Sequence, residues 1–160
     1  MGDSAGGSLA AVVSLMSGDR DGPEIDRQVL VYPAVSPRED WPSHEANATG
    51  YLLEGSDMEW FGDCYYGSDV HEANPYAFPL VACSHEGLPP ATVLTAGFDP
   101  LRDEGVAYAE ALADAGVPVE HRNYDDVIHG FFTMLAGAGE LDRAHEAVTD
   151  VARDLRETFG

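Results

Sequence analysis

Gly2-Asp3-Ser4-Ala5-Gly6-Gly7 stands at the start of the chain, and its reading decides what the other residues can build. The spacing G-x-S-x-G is that of a sharp strand-to-helix turn, a nucleophile elbow, which strains a serine and presents its hydroxyl at a helix N-terminus. Glycine on both sides of Ser4 fits such a turn, because a Cβ at either position is expected to clash. Ser8 to Met16 follows as an apolar helix that can pack on a sheet while its first-turn N–H groups face an anion. Taken alone, the stretch also fits a glycine-rich turn that merely starts a helix.

Composition narrows the choice. The 160 residues, 44% of them hydrophobic, suffice for one core and one domain. Charge is lopsided: 29 acidic residues face 8 basic ones, all arginine, giving a net charge of −21. That balance argues against nucleic acid or an anionic membrane as partner. Dense carboxylate without a single lysine points to adaptation to high salt, where self-repulsion is screened. Cys64 and Cys83 are too few for a disulfide framework and lack C-x-x-C spacing, so they read as buried or incidental thiols of a cytoplasmic protein. The sequence shows neither a signal-peptide pattern nor an apolar run of about 18 residues, so neither a signal peptide nor a membrane span is expected. Asp19-Arg20-Asp21-Gly22 resembles the start of a calcium loop, but Leu30 occupies the twelfth position, where a bidentate Glu is needed. Asn47-Ala48-Thr49 matches a glycosylation sequon, a triplet common by chance.

Along the chain, helical and extended patterns alternate. Arg27 to Tyr32, closed by Pro33, reads as a strand buried on both faces. Residues 34 to 56 are loop-rich, and Asp57 to Tyr66 reads as a short amphipathic helix capped by Ser56, with Trp60, Phe61 and Tyr65 as core or pocket-wall residues. Ala91 to Ala96 is a second strand, Leu101 to Ala115 a helix stopped by Gly116 and Pro118, and Val117 to Tyr124 a third strand. A long helix closes the chain, its apolar positions Leu141, Ala144, Val148, Val151, Leu155 and Phe159 at helical spacing. The alternation predicts an α/β fold: a parallel sheet with flanking helices.

Sites on open parallel sheets collect at the C-terminal ends of strands. Ser4 is so placed, and so are Asp99, directly after the second strand, and His129, in the turn Asp125 to Gly130 after the third. Asp99 could instead be a helix cap, and a lone His before Gly a turn residue. Together the three have the residue types of nucleophile, orienting carboxylate and general base.

With Tyr32-Pro33, Asp99-Pro-Leu-Arg-Asp-Glu-Gly105 and His129-Gly-Phe131, the opening stretch resembles the fold-3, or hormone-sensitive-lipase, group of α/β-hydrolase carboxylesterases. The resemblance covers nearly the whole chain. It implies an acyl-ester hydrolase without cofactor or metal, acting on a small-molecule ester, with Ser4 as nucleophile, His129 as general base and acid, and Asp99 orienting the imidazole. Ala5 would supply an oxyanion N–H, and Trp60, Phe78 and Phe131 would line the substrate site. Phe78, where that group often has Ser, and Asp126, where a small residue is frequent, depart from its pattern.

The resemblance also implies that residues 1–160 are the C-terminal portion of an α/β-hydrolase domain, with a cap-like or pocket-wall insertion around 34–87. No H-G-G-G oxyanion loop occurs in the sequence, and the strand that feeds the elbow is expected to be missing. A three-stranded remainder would have an exposed edge, and association through it, as a homo-oligomer, is expected. Two readings stay open: an ester hydrolase, with a peptidase or lactonase of the same fold as a lesser rival, or a catalytically incomplete remnant acting as an interaction module. The charge yields a prediction: raising KCl from about 0.1 to 2 M should raise the melting temperature, because shorter screening lengths relieve carboxylate repulsion. A flat or falling melting curve would contradict the high-salt reading.

Overall fold

The computed structural model describes every residue except Arg38 and Glu39, and of Asp69 the backbone only. Four parallel strands form one sheet in sequence order: β1 (Gly2–Asp3), β2 (Gln28–Val31), β3 (Ala91–Phe98) and β4 (Val119–Ile128). The expectation of three strands is thereby corrected. Two residues are too short to register as a sequence pattern, yet Gly2 pairs with Leu30 and Asp3 with Val31, and the ladder continues in the Ser4 N–H bond to Val31 O.

Helix α1 (Ala5–Asp19) joins β1 to β2, and α4 (Arg102–Asp114) joins β3 to β4. The crossover between β2 and β3 holds two further helices, α2 (Pro42–Ala46) and α3 (Gly55–Tyr65). Helix α5 (Asp142–Phe159) follows β4. Because strand side chains alternate, β2 and β3 supply two cores. Leu30 and Val93 pack with Ala11 and Leu15 of α1 and with Tyr108 and Leu112 of α4. Val29, Val31, Leu94 and Ala96 belong to the other core, with Ala147 and Val151 of α5. Both faces of the sheet are thus covered, as the uninterrupted apolar runs of β2 and β3 require.

Local chemistry explains the boundaries. α4 stops where Gly116, at φ +82°, takes the left-handed conformation; Val117 N–H reaches back to Leu112 O at 3.0 Å, and both side chains enter the core. α3 begins one turn's fraction earlier than expected, capped by Glu54 rather than Ser56, in a capping box with Asp57. None of its residues is buried: Trp60, Phe61 and Tyr65 are 62, 55 and 67% exposed, against the expectation of core. Cys64 lies on the same open helix and Cys83 is exposed too, so neither is a buried thiol. On α5, Phe159 is exposed, while Ala147 and Asp154 complete the buried face. Asp154 is tolerated there because Arg122 grips it with two nitrogens, at 2.7 and 3.0 Å, and Thr92 Oγ1 donates at 2.9 Å. Among the described residues no helix is long and apolar enough to cross a membrane.

β4 runs to Ile128, beyond the expected end at Tyr124, and it does so irregularly. Ala96 pairs with Tyr124, but two residues later Phe98 pairs with Ile128, so β4 carries two more residues than β3 across this step. Gly97 lies against the bulge: a Cβ there would stand 2.1 Å from Asp125 O. Gly97→Ala should therefore push the strands apart and lower the unfolding free energy in urea by about 1–3 kcal/mol, the usual range for overpacking. An unchanged urea midpoint would mean that the bulge is not held by this close approach.

Candidate active site

The bulge decides which residues meet. Regular pairing onward from Ala96 and Tyr124 would put Phe98 beside Asp126; the shifted register puts it beside Ile128 instead. The next residue of each strand is then Asp99 on one side and His129 on the other. His129 Nδ1 lies 2.7 Å from Asp99 Oδ2, and His129 Nε2 lies 2.9 Å from Ser4 Oγ. With Nδ1–H donated to the carboxylate, Nε2 is left as acceptor for the serine hydroxyl. Asp99 is fully buried and His129 is 7% exposed. Asp103 and Asp126 take other partners, Arg102 and Arg143.

Ser4 sits between β1 and α1 at φ 51°, ψ −124°, in a region that residues other than glycine seldom enter and that costs on the order of 1–3 kcal/mol. Gly2 makes the turn possible, since a Cβ there would stand 2.1 Å from Gly6 O, and Gly7 lets α1 close on Pro33, whose Cβ would be 3.0 Å away. Gly6 differs from expectation: its nearest neighbour would be Asp3 Oδ1 at 3.9 Å. The tight passage runs under the Gly6 carbonyl, not past a Gly6 side chain. Ala5 opens α1, so its N–H is among the first-turn donors without an intrahelical acceptor.

Beneath the imidazole lies Tyr32, itself at φ 36°, with its ring centroid 4.5 Å from that of His129. Burial first, and then the Asp3 and Asp99 carboxylates, hold its phenol far above the usual range, so the ring is neutral. Phe131 packs edge-on against Tyr32 and is fully buried. It supports the site from within the core and presents no surface to a substrate. Phe78 is 8% exposed and packs on Tyr66 at 4.3 Å, whereas Trp60 stands in solvent on α3 against Phe61. The three aromatic residues expected to line a substrate site thus occupy three separate surroundings.

The segment between β2 and β3 reaches the strand ends through residues the sequence reading did not single out for the site. Asn47 Nδ2 donates to Asp99 O at 3.1 Å, Ser43 Oγ donates to Pro100 O at 2.6 Å, and Tyr51 stacks on Phe98 at 5.1 Å. Glu104, 1% exposed on the first turn of α4, accepts the Val35 N–H at 2.6 Å and faces His44 Nε2 at 3.4 Å. A charged residue at a helix start reads as a dipole partner, so its burial left no mark in the sequence. Two surface clefts lie elsewhere, one between β4 and α5 beside Arg143 and Asp150, the other along α1 beside Val13 and Met16; neither includes Ser4, Asp99 or His129.

Comparison with known proteins agrees with this architecture. A family model described as "alpha/beta hydrolase fold" matches residues 1–133. The carboxylic ester hydrolase LipN of Mycobacterium tuberculosis is 40% identical over 96% of this chain and 43% of its own. An ethyl acetate hydrolase of Pseudomonas putida is 34% identical over 98% of this chain and 49% of its own. Among solved structures, an ester hydrolase from the metagenome of Lake Arreo, in complex with a bipyridine phosphonate derivative, superposes with a TM-score of 0.92. It shares 41% identity over 99% of this chain and 50% of that one. The chain thus spans about half the length of the relatives it matches.

Burial pushes the Glu104 carboxyl above its usual range against the opposing pull of His44 and the Val35 N–H. Above the ordinary value near 4.5, the native state then holds this proton more tightly than the unfolded chain, so the group's contribution to stability falls as pH rises. Wild type should lose stability relative to Glu104→Gln in urea titrations stepped from pH 4 to 7. A pH-independent difference would refute this sign.

Proposed function

Because this chain belongs to the α/β-hydrolase fold family, we propose that it carries the nucleophile, base and orienting acid of a carboxylic ester hydrolase. One observation carries the reading: an unbroken hydrogen-bonded line from Ser4 Oγ through both imidazole nitrogens of His129 to Asp99 Oδ2. Neutral serine is a poor nucleophile, and the line supplies what it lacks. His129 Nε2 takes the hydroxyl proton as Ser4 Oγ attacks the ester carbonyl. Asp99, buried and accepting from Nδ1–H, fixes the tautomer and stabilises the imidazolium that forms.

Negative charge then develops on the former carbonyl oxygen, and the Ala5 N–H at the start of α1 is the donor this chain offers to it. As the tetrahedral intermediate collapses, His129 returns the proton to the departing alcohol and leaves an acyl group on Ser4. Water, deprotonated by the same imidazole, releases the acid. Relatives named as a carboxylic ester hydrolase and an ethyl acetate hydrolase favour esters as the substrate class. The segment around 34–87 is the wall of that site, reaching it at Asn47 and Tyr51. The acidic, lysine-free surface is the adaptation of such an enzyme to high salt.

A fluorophosphonate should label Ser4 alone, with the label lost in Ser4→Ala. Asp99→Asn should slow turnover of p-nitrophenyl acetate by on the order of 10⁴, because the wrong tautomer is then held, whereas Asp103→Asn and Asp126→Asn should act far more weakly. Label on another residue, or equal losses at all three aspartates, would contradict the assignment.

A further inference from the structure

The Asn47-Ala48-Thr49 triplet has a use in the fold that its sequence does not advertise. Asn47 is 4% exposed and its amide is engaged, so it is no free acceptor for a glycan. Its Nδ2 donates to the backbone carbonyl of Asp99, which also receives the Arg102 N–H at 3.2 Å. Ser43, one helical turn earlier and fully buried, donates its hydroxyl to the adjacent carbonyl of Pro100. The grip is mutual: Ser43 N–H bonds Asp103 Oδ2 at 2.8 Å, and Asp103 N–H returns to Ser43 Oγ at 3.2 Å. Ser43 on α2 and Asn47, which caps the helix C-terminus one turn later, thus match two side-chain donors to two successive carbonyls of the β3–α4 turn.

We propose that Asn47 is a positioning residue for Asp99, clamping from the C-terminal cap of α2 the backbone out of which the Asp99 carboxylate reaches His129. The proposal rests on the reading of Ser4, His129 and Asp99 given above. Both oxygens of that carboxylate are committed, Oδ1 to the Leu101 N–H at 2.9 Å and Oδ2 to His129 at 2.7 Å. A short side chain with two fixed ends keeps both bonds only if its Cα stays in place. α4 holds that backbone from the C-terminal side through Arg102, and Asn47 holds it from across the sheet end. Loss of the Asn47 donor therefore passes into the contact that sets the imidazole tautomer, while Ser4 and its elbow are untouched.

The rate at which a fluorophosphonate labels Ser4 in the full chain, followed by mass spectrometry, reads the activation of Ser4 without requiring ester turnover. Asn47→Ala and the isosteric Asn47→Asp, which lacks the donor, should slow labelling roughly ten- to a hundredfold, the range for small misplacements of reacting groups. Thr49→Ala, which destroys the triplet but leaves Asn47, should label at the wild-type rate. In an Asp99→Asn background the Asn47 substitutions should add no further loss, because their effect passes through Asp99. Ser43→Ala carries the same expectation should Asn47→Ala fail to fold. Wild-type labelling in a folded Asn47→Asp protein, or losses that simply add to that of Asp99→Asn, would overturn the proposal. So would a set of variants none of which folds, since the role would then be stability alone. Labelling that persists in Ser4→Ala would instead overturn the underlying assignment, which keeps the two failures apart.

Discussion

Everything in the site depends on the two extra residues that β4 carries between Tyr124 and Ile128. Parallel strands fix which residues stand side by side at their ends, and in regular register Asp99 would stand beside Val127, two residues short of His129. The bulge advances β4 so that His129 arrives level with Asp99, and the backbone contact of Gly97 with Asp125 is what lets the strands stay close while this happens. The 2.7 Å contact between imidazole and carboxylate is thus a property of sheet register before it is a property of side chains.

The third member is delivered by a different device. Ser4 leaves the sheet directly after β1, and its positive φ turns the hydroxyl back toward His129 at the end of β4. Such a conformation persists only when its surroundings over-determine it. Here they do: the Ser4 N–H is tied to Val31 O, its carbonyl accepts the Ser8 N–H of α1, and Gly2 and Gly7 admit the close approaches to Gly6 O and Pro33. Tyr32, strained in its turn, fills the space below and braces the imidazole from the core side. Strain at Ser4 and Tyr32 is therefore concentrated where two neighbouring strands end, around one histidine.

Legibility in the sequence followed the range of the interactions involved. The elbow is legible because its spacing is local, β2 and β3 because they are short continuous apolar runs buried on both faces, and α4 and α5 because their burial has a helical period. Asp99 and His129 are recognisable as strand-end residues, but the bulge that joins them depends on pairing between strands far apart in sequence, and the sequence pattern predicts a strand ending at Tyr124. α3 departs for a related reason: Trp60, Phe61 and Tyr65 have core chemistry, and nothing local to the helix says that none of the described elements covers them. Asn47 and Glu104 were missed because a polar residue's burial is set by partners 52 and 69 positions away. The sequence around Asn47 even offered a competing motif.

The charge distribution separates the fold's needs from the site's. Of the described arginines, Arg122, Arg143 and Arg153 all neutralise carboxylates of β4 or α5, and Arg102 pairs with Asp103 beside the β3–α4 turn. Few cations are thus spread over so acidic a surface, and they concentrate where carboxylates would otherwise crowd one helix. Arginine suits this because its planar fork can hold two oxygens at once, as Arg122 does with Asp154. The excess negative charge is left in solvent, where mobile ions screen it within about 10 Å at ~0.1 M salt. Asp99 is buried like Asp154 and Glu104, and its carboxylate accepts hydrogen bonds from His129 and from the Leu101 N–H. Its interaction with His129 is buried and spans far less than a screening length, so mobile ions leave that contact electrostatically intact.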